Sequence, residues 1–229
     1  MLIFLIYIVK DFIFSKIRQR NSYTQIIESF LKVIDSKDHY TEGHCERVAK
    51  YTNVLCNSLG VKKVKTERIV NMAKIHDIGK INVTDKILKS SSHLTDDEYA
   101  EIQRHCAYGY EILKDINLMK KDLNVILYHH ERYDGTGYPK GKKGKEIPLG
   151  ARILSICDAF DVMTTGRIYK PAMSREEVIQ ELKRCAGTQF DPEIVEKMFE
   201  LIDKGIFDNS FKDKTNETGP KLDASPELI

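Results

Sequence analysis

Five histidines and two aspartates, spread over five separated segments, constrain this chain more than any other feature. They are His44, the pair His76-Asp77, His105, the pair His129-His130, and Asp158. Singly, each has an ordinary explanation. A helical histidine is commonly a hydrogen-bonded core or surface residue, and His129 and His130 could cap a helix end, where cations suit the dipole. Asp158 is harder to explain, since it stands among Ile153, Leu154, Ile156, Ala159 and Phe160, where an unpaired carboxylate is costly to bury. Taken together, the seven residues read as one metal cluster that a fold must bring to a single point.

The periodicity around these residues is helical throughout. Ile26, Ile27, Phe30, Leu31, Val33 and Ile34 predict a helix over Ser22 to Asp35. Val48, Tyr51, Leu55 and Leu59 form one stripe of a second, over Glu42 to Leu59, with His44 on the buried side. Thr66 to His76 is a third, ending at the His-Asp pair. Thr95 with Glu98 makes a capping box for a fourth, expected to run to Leu113 with His105 in its middle. A fifth is expected from Leu118 to His130, its last turn supplying the adjacent histidines. The segment Tyr133 to Gly141, dense in Gly and Pro, reads as loop. Pro148 to Thr165 is a long apolar helix, Ser174 with Glu177 caps the next, and Asp191-Pro192 opens the last. No convincing strand or internal repeat is present, so the fold class is all-α.

Composition sets outer bounds. At 229 residues, 41% hydrophobic and 31% charged, the chain has material for one substantial globular domain. A formal net charge of +2 does not suit a protein that coats a nucleic acid polymer. The five cysteines are odd in number and form no Cys-x-x-Cys pair, which favours a reducing compartment and a cytoplasmic location. Residues Met1 to Phe14 are apolar except for Lys10 and Asp11. As a helix they would span about 21 Å, short of a hydrocarbon core of roughly 30 Å. Two readings stay open: a helix that packs on the domain or pairs with a second copy, and membrane association through residues 1–14. The expected division is an apolar N-terminal helix over 1–21, a catalytic domain over 22–208, and a disordered tail over 209–229.

Imidazole with carboxylate and without thiolate suits iron or manganese, or zinc in a catalytic site. Two octahedral ions offer about twelve positions. Seven residues with one bridging carboxylate fill eight of these, a bridging hydroxide fills two, and two remain for substrate. Adjacent histidines on a helix point about 100° apart, so His129 and His130 could serve different ions. A pair of ions about 3.5–4 Å apart suits in-line displacement at phosphorus.

These residues resemble the HD-GYP domain, a branch of the HD phosphohydrolase superfamily. The likeness rests on His76-Asp77 with Gly79-Lys80, on His129-His130-Glu131, and on Asp134-Gly135-Thr136-Gly137-Tyr138-Pro139. Asp38-x-x-Thr41-x-x-His44-x-x-Arg47-Val48, Ile147-Pro148-Leu149-x-Ala151-Arg152-Ile153 and Asp158-x-x-Asp161 extend it. Arg167-x-Tyr169-Lys170 and Gly187-x-x-Phe190-Asp191-Pro192 carry it on, so it runs from about Ile26 to Leu201. The resemblance implies an HD-superfamily helical bundle with extra C-terminal helices. It implies a metal-dependent phosphodiesterase that hydrolyses cyclic di-GMP to pGpG, GMP or both through a two-metal bridging hydroxide. It also implies that His44, His76, Asp77, His105, His129, His130 and Asp158 are ligands, with Asp77 bridging. Lys80 and Asp38 would stand beside the bridging hydroxide, and Arg167 and Lys170 would reach the substrate phosphates. For the last two a solvated helix end is the alternative.

Three departures from the family pattern bear on the expectations. Tyr40 stands where some members carry a glutamate that holds a third metal, so two are expected. Cys106 follows His105 where proline is common, which is expected to change packing only. Lys142 adds to Lys140, Lys143 and Lys145 in a short basic loop that could steer an anion or simply be solvated. Input is expected through the N-terminal helix, as a homodimer, or through a sensor or diguanylate cyclase partner. The rival readings are a non-catalytic signalling module, with the Gly137-Tyr138-Pro139 loop as its contact surface, and a phosphohydrolase for another cyclic dinucleotide.

Overall fold

The computed structural model describes residues 2–37, 43–88, 90, 94–166 and 171–211. Asp38, Tyr40, Arg167, Lys170 and the chain beyond residue 211 lie outside the described residues. The elements are helical: α1 Leu2–Lys37, α2 His44–Ser58, α3 Lys63–Lys74, α4 Asp85–Leu88, α5 Asp96–Gln103, α6 His105–Leu113, α7 Leu123–Leu127, α8 Leu149–Thr165, α9 Arg175–Cys185 and α10 Pro192–Asp203. Among the described residues three short 3-10 turns, Ile78–Asn82, Gly144–Glu146 and Asp208–Ser210, accompany them. Among the described residues the only β pairing is one isolated bridge between Ala186 and Phe190. The all-α expectation therefore holds.

The centre of the bundle is α8, the long apolar helix expected from the sequence. Ile153, Leu154, Ile156, Cys157 and Phe160 are fully buried along it, and α2, α3, α7, α9 and α10 pack around it. On α2 Val48, Tyr51 and Leu55 of the expected stripe are buried with His44, while Leu59, just past the helix end, is half-buried. Fully burying one such aliphatic side chain is worth roughly 1.5–3 kcal/mol. The packed chain continues through Phe211, whose ring meets Phe160 edge-on at 5.7 Å between centroids.

Helix α1 is a single unbroken rod rather than two elements. Ile27, Leu31 and Ile34 in its second half join the core. In its first half Tyr7, Phe12, Ile13, Phe14 and Ile17 are exposed. No helix among the described residues is long and apolar enough to cross a membrane.

Local signals at helix starts perform as their chemistry dictates. Thr95 Oγ1 accepts from the Glu98 amide and Glu98 returns the bond to the Thr95 amide at 2.9 Å. Ser174 and Glu177 repeat the arrangement at α9. Asp191 caps α10 through the Glu193 amide, with Pro192 in the first turn.

Two expected helices are interrupted. The helix from Thr95 to Leu113 divides at Arg104, so His105 opens α6 instead of sitting mid-helix. The helix from Leu118 to His130 shrinks to Leu123–Leu127, and His129 and His130 lie in the turn after it. The ends of α5 and α7 are set by the histidines themselves, described below. One glycine has to be a glycine for the fold to close: a Cβ on Gly79 would lie 1.9 Å from the His105 carbonyl oxygen. The turn carrying His76 and Asp77 thus lies backbone to backbone against the start of α6.

Candidate functional site

Three histidines share one device. His76, His105 and His129 each stand three residues after the penultimate residue of a helix. Their Nδ1 atoms lie 2.8 Å from the Ala73 carbonyl, 2.7 Å from Ile102 and 2.6 Å from Ile126, respectively. A helix leaves its last four carbonyls without backbone partners, and here an imidazole takes one of them. This ends α3, α5 and α7 where it does, and explains the two interruptions. A carbonyl only accepts, so Nδ1 carries the proton on all three rings. Each Nε2 is then an unprotonated lone pair pointing away from the helix end.

The lone pairs converge. His105 Nε2 and His129 Nε2 are 3.3 Å apart. His76 and His129 rings stand 5.2 Å apart, and His105 and His130 rings 5.1 Å. The His129 and His130 rings lie 4.1 Å apart and tilted by 42°, presented from the turn after α7 and not from a helical face. Desolvation depresses all three groups, His105 to about 4, His130 to about 3, and His129 well below the ordinary imidazole value; neighbouring imidazoles come second at His129 and His130, while at His105 Asp77 opposes the shift and Lys80 adds to it. At neutral pH the facing nitrogens of His105 and His129 therefore have no proton to share.

The carboxylates complete the ring of donors. Asp77 Oδ2 lies 3.5 Å from His76 Nε2 and its Oδ1 lies 3.7 Å from His105 Nε2. Lys80 Nζ donates to Oδ2 at 2.7 Å. Burial works against the Asp77 charge, but Lys80, His76 and His105 hold its carboxyl well below the usual range. Asp158, on α8, reaches His44 Nε2 at 3.1 Å and His76 Nε2 at 4.0 Å. His44 differs from the other rings: burial opposes its charge, yet the hydrogen bonds it donates to Asp158 and Asp161 raise it to about 9. All seven residues expected to be ligands are thus in one place. Two groups within this set have donor atoms close enough for a metal ion: His44, His76 and Asp77, and His105, His129 and His130 with Cys106.

Asp38, Arg167 and Lys170 lie outside the described residues. The cleft in front of the donors is lined by Lys80, His130, Asp158, Val162, Thr165 and Gly166, among others. The loop Gly137-Tyr138-Pro139 forms a wall of the same site. Tyr138 stacks on His130 with centroids 5.0 Å apart, and its amide donates to the His130 carbonyl at 3.2 Å. Gly137 allows this approach, because a Cβ there would meet the Arg132 nitrogen at 2.2 Å. Lys142 lies over the Tyr128 ring and Lys145 pairs with Glu193.

Sequence reasoning named Asp161, Arg47 and Glu131 as motif residues but assigned them no role. Asp161 accepts from His44 Nδ1 at 2.7 Å and from Arg47 Nε at 2.7 Å, fully buried one turn after Asp158. Its signal was the second carboxylate in an apolar helix. Arg47 completes the fork through Nη2 at 2.9 Å. Glu131, also buried, accepts the Lys140 and Lys142 amides at 2.7 and 2.9 Å and so ties down the loop.

The residues fit divalent metal. Five imidazoles, of which three have fixed outward lone pairs, and two charged carboxylates face one point, and the proton that His44 shares with Asp158 is the one an ion there would displace. A family model described as "HD domain" matches residues 28–194. A "Cyclic di-GMP phosphodiesterase" of Thermotoga maritima is 33% identical over 196 residues, covering 85% of this chain and 53% of its own length. A "3'3'-cGAMP-specific phosphodiesterase 3" of Vibrio cholerae is 36% identical over 168 residues, 73% of this chain and 36% of its own. The chain thus spans about half, or less, of the curated relatives it matches. A crystal structure of a cyclic GMP-AMP specific phosphodiesterase of V. cholerae superposes with a TM-score of 0.66 at 19% identity, covering 84% of this chain and 51% of that one. An HDG"Y"P protein of Bdellovibrio bacteriovorus superposes at 0.59 and 18% identity, over 80% and 64% of the two chains. Both share this helical fold.

Proposed function

This chain belongs to the HD domain family, and from that premise we propose that it is of the HD-GYP branch, a metal-dependent phosphodiesterase that opens cyclic di-GMP to pGpG, GMP or both. The observation that carries the reading is the pair of unprotonated Nε2 atoms of His105 and His129, 3.3 Å apart and buried. Two lone pairs at that distance repel unless a cation lies between or beside them. The two oxygens of Asp77, one toward His76 and one toward His105, support a bridging role between two ions. Iron or manganese suits the oxygen and imidazole donors.

Two ions bound there would neutralise the phosphoryl oxygens and acidify a water to near-neutral pKa. The remaining chemistry falls to the chain. Lys80, held on Asp77 and partly open to the cleft, is placed to donate to the leaving oxygen, with Asp38 as its orienting partner. Arg167 and Lys170, just past the cleft-lining Gly166, hold the non-bridging oxygens as charge builds. Tyr138, stacked on His130, closes the site on one side.

A second substrate, 3'3'-cGAMP, is favoured by the relatives that bear that name. The donor set is complete, which weighs against a module that binds without turnover. The exposed apolar side chains on the first half of α1 suit pairing with a second copy of the chain. Sedimentation of the full chain with and without lipid vesicles separates that from attachment to a membrane surface.

The test is metal analysis of anaerobically purified protein with product analysis on both dinucleotides. About two iron or manganese ions per chain and turnover of cyclic di-GMP are expected, with His76→Ala and Asp77→Ala losing most of both. A single zinc ion that survives Asp77→Ala would overturn the two-metal reading.

A further inference from the structure

We propose that the first half of α1 docks on an anionic lipid surface, with the basic end of the bundle lying against the headgroups. No helix among the described residues is long and apolar enough to cross a bilayer, and the contact is with one face of it.

The two halves of α1 carry their apolar residues differently. In the second half Ile27, Leu31 and Ile34 are buried in the core, and at about 100° per residue they lie within about 60° of one another. One protein surface covers such a stripe. In the first half Tyr7, Phe12, Ile13, Phe14 and Ile17 are exposed, and Phe12, Ile13 and Phe14 alone point in three directions about 100° apart. Every residue from Lys10 to Arg18 is exposed, so the bundle covers none of these sides. A second copy pairing along α1 covers one stripe and leaves the others bare. Lipid covers every side of a helix that enters it. Lys10 and Lys16 lie over the Phe14 and Phe12 rings, 5.8 and 5.6 Å from their centroids. Long cations in that posture shield apolar surface with their stems and offer the charge to headgroups.

The charge beside the rod complements an anionic surface. Where α1 joins the bundle, Tyr23 bonds to Asn71 of α3 and stands near Arg68 and Asp122. Arg68 holds Asp122 at 3.2 Å, and Lys65 and Lys121 flank the same carboxylate. Lys62, Lys63, Lys65, Lys120 and Lys121 are exposed at this end, against one exposed carboxylate in the same two segments, Glu67. Cations gathered where an apolar helix leaves its domain bind anionic headgroups. The far end of α1 packs on the turn carrying Lys80, and Lys37 there pairs with Asp85 at 2.5 Å. Tyr7 and Lys37 stand about 45 Å apart along the helix, so the cleft stays open to solvent while the first half lies on lipid.

Co-sedimentation of the full chain with vesicles of phosphatidylcholine, alone or mixed with phosphatidylserine, tests the proposal without reference to activity. Binding is expected to the mixed vesicles and should fall as salt screens the charge. Each cation removed near the surface should weaken it about fivefold. Lys62→Ala, Lys63→Ala and Lys65→Ala together should therefore lose about a hundredfold, and Phe12→Ser with Phe14→Ser should lose most of the binding. All five side chains are exposed, so thermal unfolding should match that of the parent chain. Equal binding to the neutral vesicles, or no loss in either variant, would overturn the proposal. A parent chain that stays in the supernatant with mixed vesicles overturns it as well, and a dimer found there assigns the exposed side chains to a second copy. Should a variant unfold, the two vesicle types compared on the parent chain decide alone. Metal content and turnover are measured separately, so the phosphodiesterase reading stands or falls by itself.

Discussion

Asp161 Oδ2 stands 2.7 Å from His44 Nδ1, while the other nitrogen of the same ring stands 3.1 Å from Asp158 Oδ1. One turn of α8 therefore supplies both an expected ligand and the carboxylate that aims another. His76, His105 and His129 are aimed by helix-end carbonyls, so His44 alone among these four rings depends on a side chain. Arg47 pins the same carboxylate from α2, tying the first metal-facing helix to the core helix.

Asp161→Asn should weaken metal binding by about 10–100-fold, the usual effect of losing the group that orients a ligand imidazole. Metal competition against a chelating dye reads this directly. The buried fork to Arg47 is lost in the same variant, so thermal unfolding of the metal-free protein must be measured beside it. Equal metal affinity in a folded Asp161→Asn protein would reduce Asp161 to an anchor for Arg47.

Lys80→Ala separates binding from chemistry. Lys80 touches Asp77 but offers no lone pair to a metal when charged. The variant should keep its ions and its substrate affinity yet lose about 10²-fold or more in kcat. Normal turnover in the metal-replete variant would remove Lys80 from the mechanism.

Glu131→Gln addresses the loop. The carboxylate accepts two backbone amides, and hydrogen bonds to a charged group are worth about 1.5–3 kcal/mol each. Its loss should speed hydrogen exchange at Lys140 and Lys142 while the amides of α8 keep their protection. Tyr138 sits between Glu131 and these amides in sequence and stacks on His130, so a rise in KM should accompany the change. Unaltered exchange at both lysines would mean that the turn geometry alone holds the loop.

The donors of this centre were legible in the sequence because their chemistry is unusual: seven metal-competent side chains, one of them a carboxylate in an apolar helix. What aims them was not. A histidine at helical spacing reads as the interior of a helix, and only the folded chain reveals that His105 and His129 stop the helices before them by taking a carbonyl. Asp161 was visible as a motif residue, but its partner His44 is 117 positions away. The same holds for Glu131, whose role depends on where a loop nine and eleven residues later returns. Gly79 and Gly137 could be read as loop residues, yet their necessity comes from backbones that approach from other segments.

Arg167 and Lys170 decide whether the substrate is held by its phosphates. They lie outside the described residues, but Gly166 lines the cleft with Lys80 and Asp158. Gly166 also ends α8 with a positive φ of 69°, so the chain turns at the edge of the site just before Arg167. Removing a charge-assisted contact to phosphate costs about 1.5–3 kcal/mol, or roughly ten- to a hundredfold. Arg167→Ala should show that loss on cyclic di-GMP with metal content unchanged. Arg167→Lys should recover only part, because the planar fork is gone. Bis-p-nitrophenyl phosphate is the control, since it has one phosphate and needs less of a clamp. An equal loss on both substrates would assign the residue to the metal site or the fold, and no loss on either would remove it from the phosphate contacts.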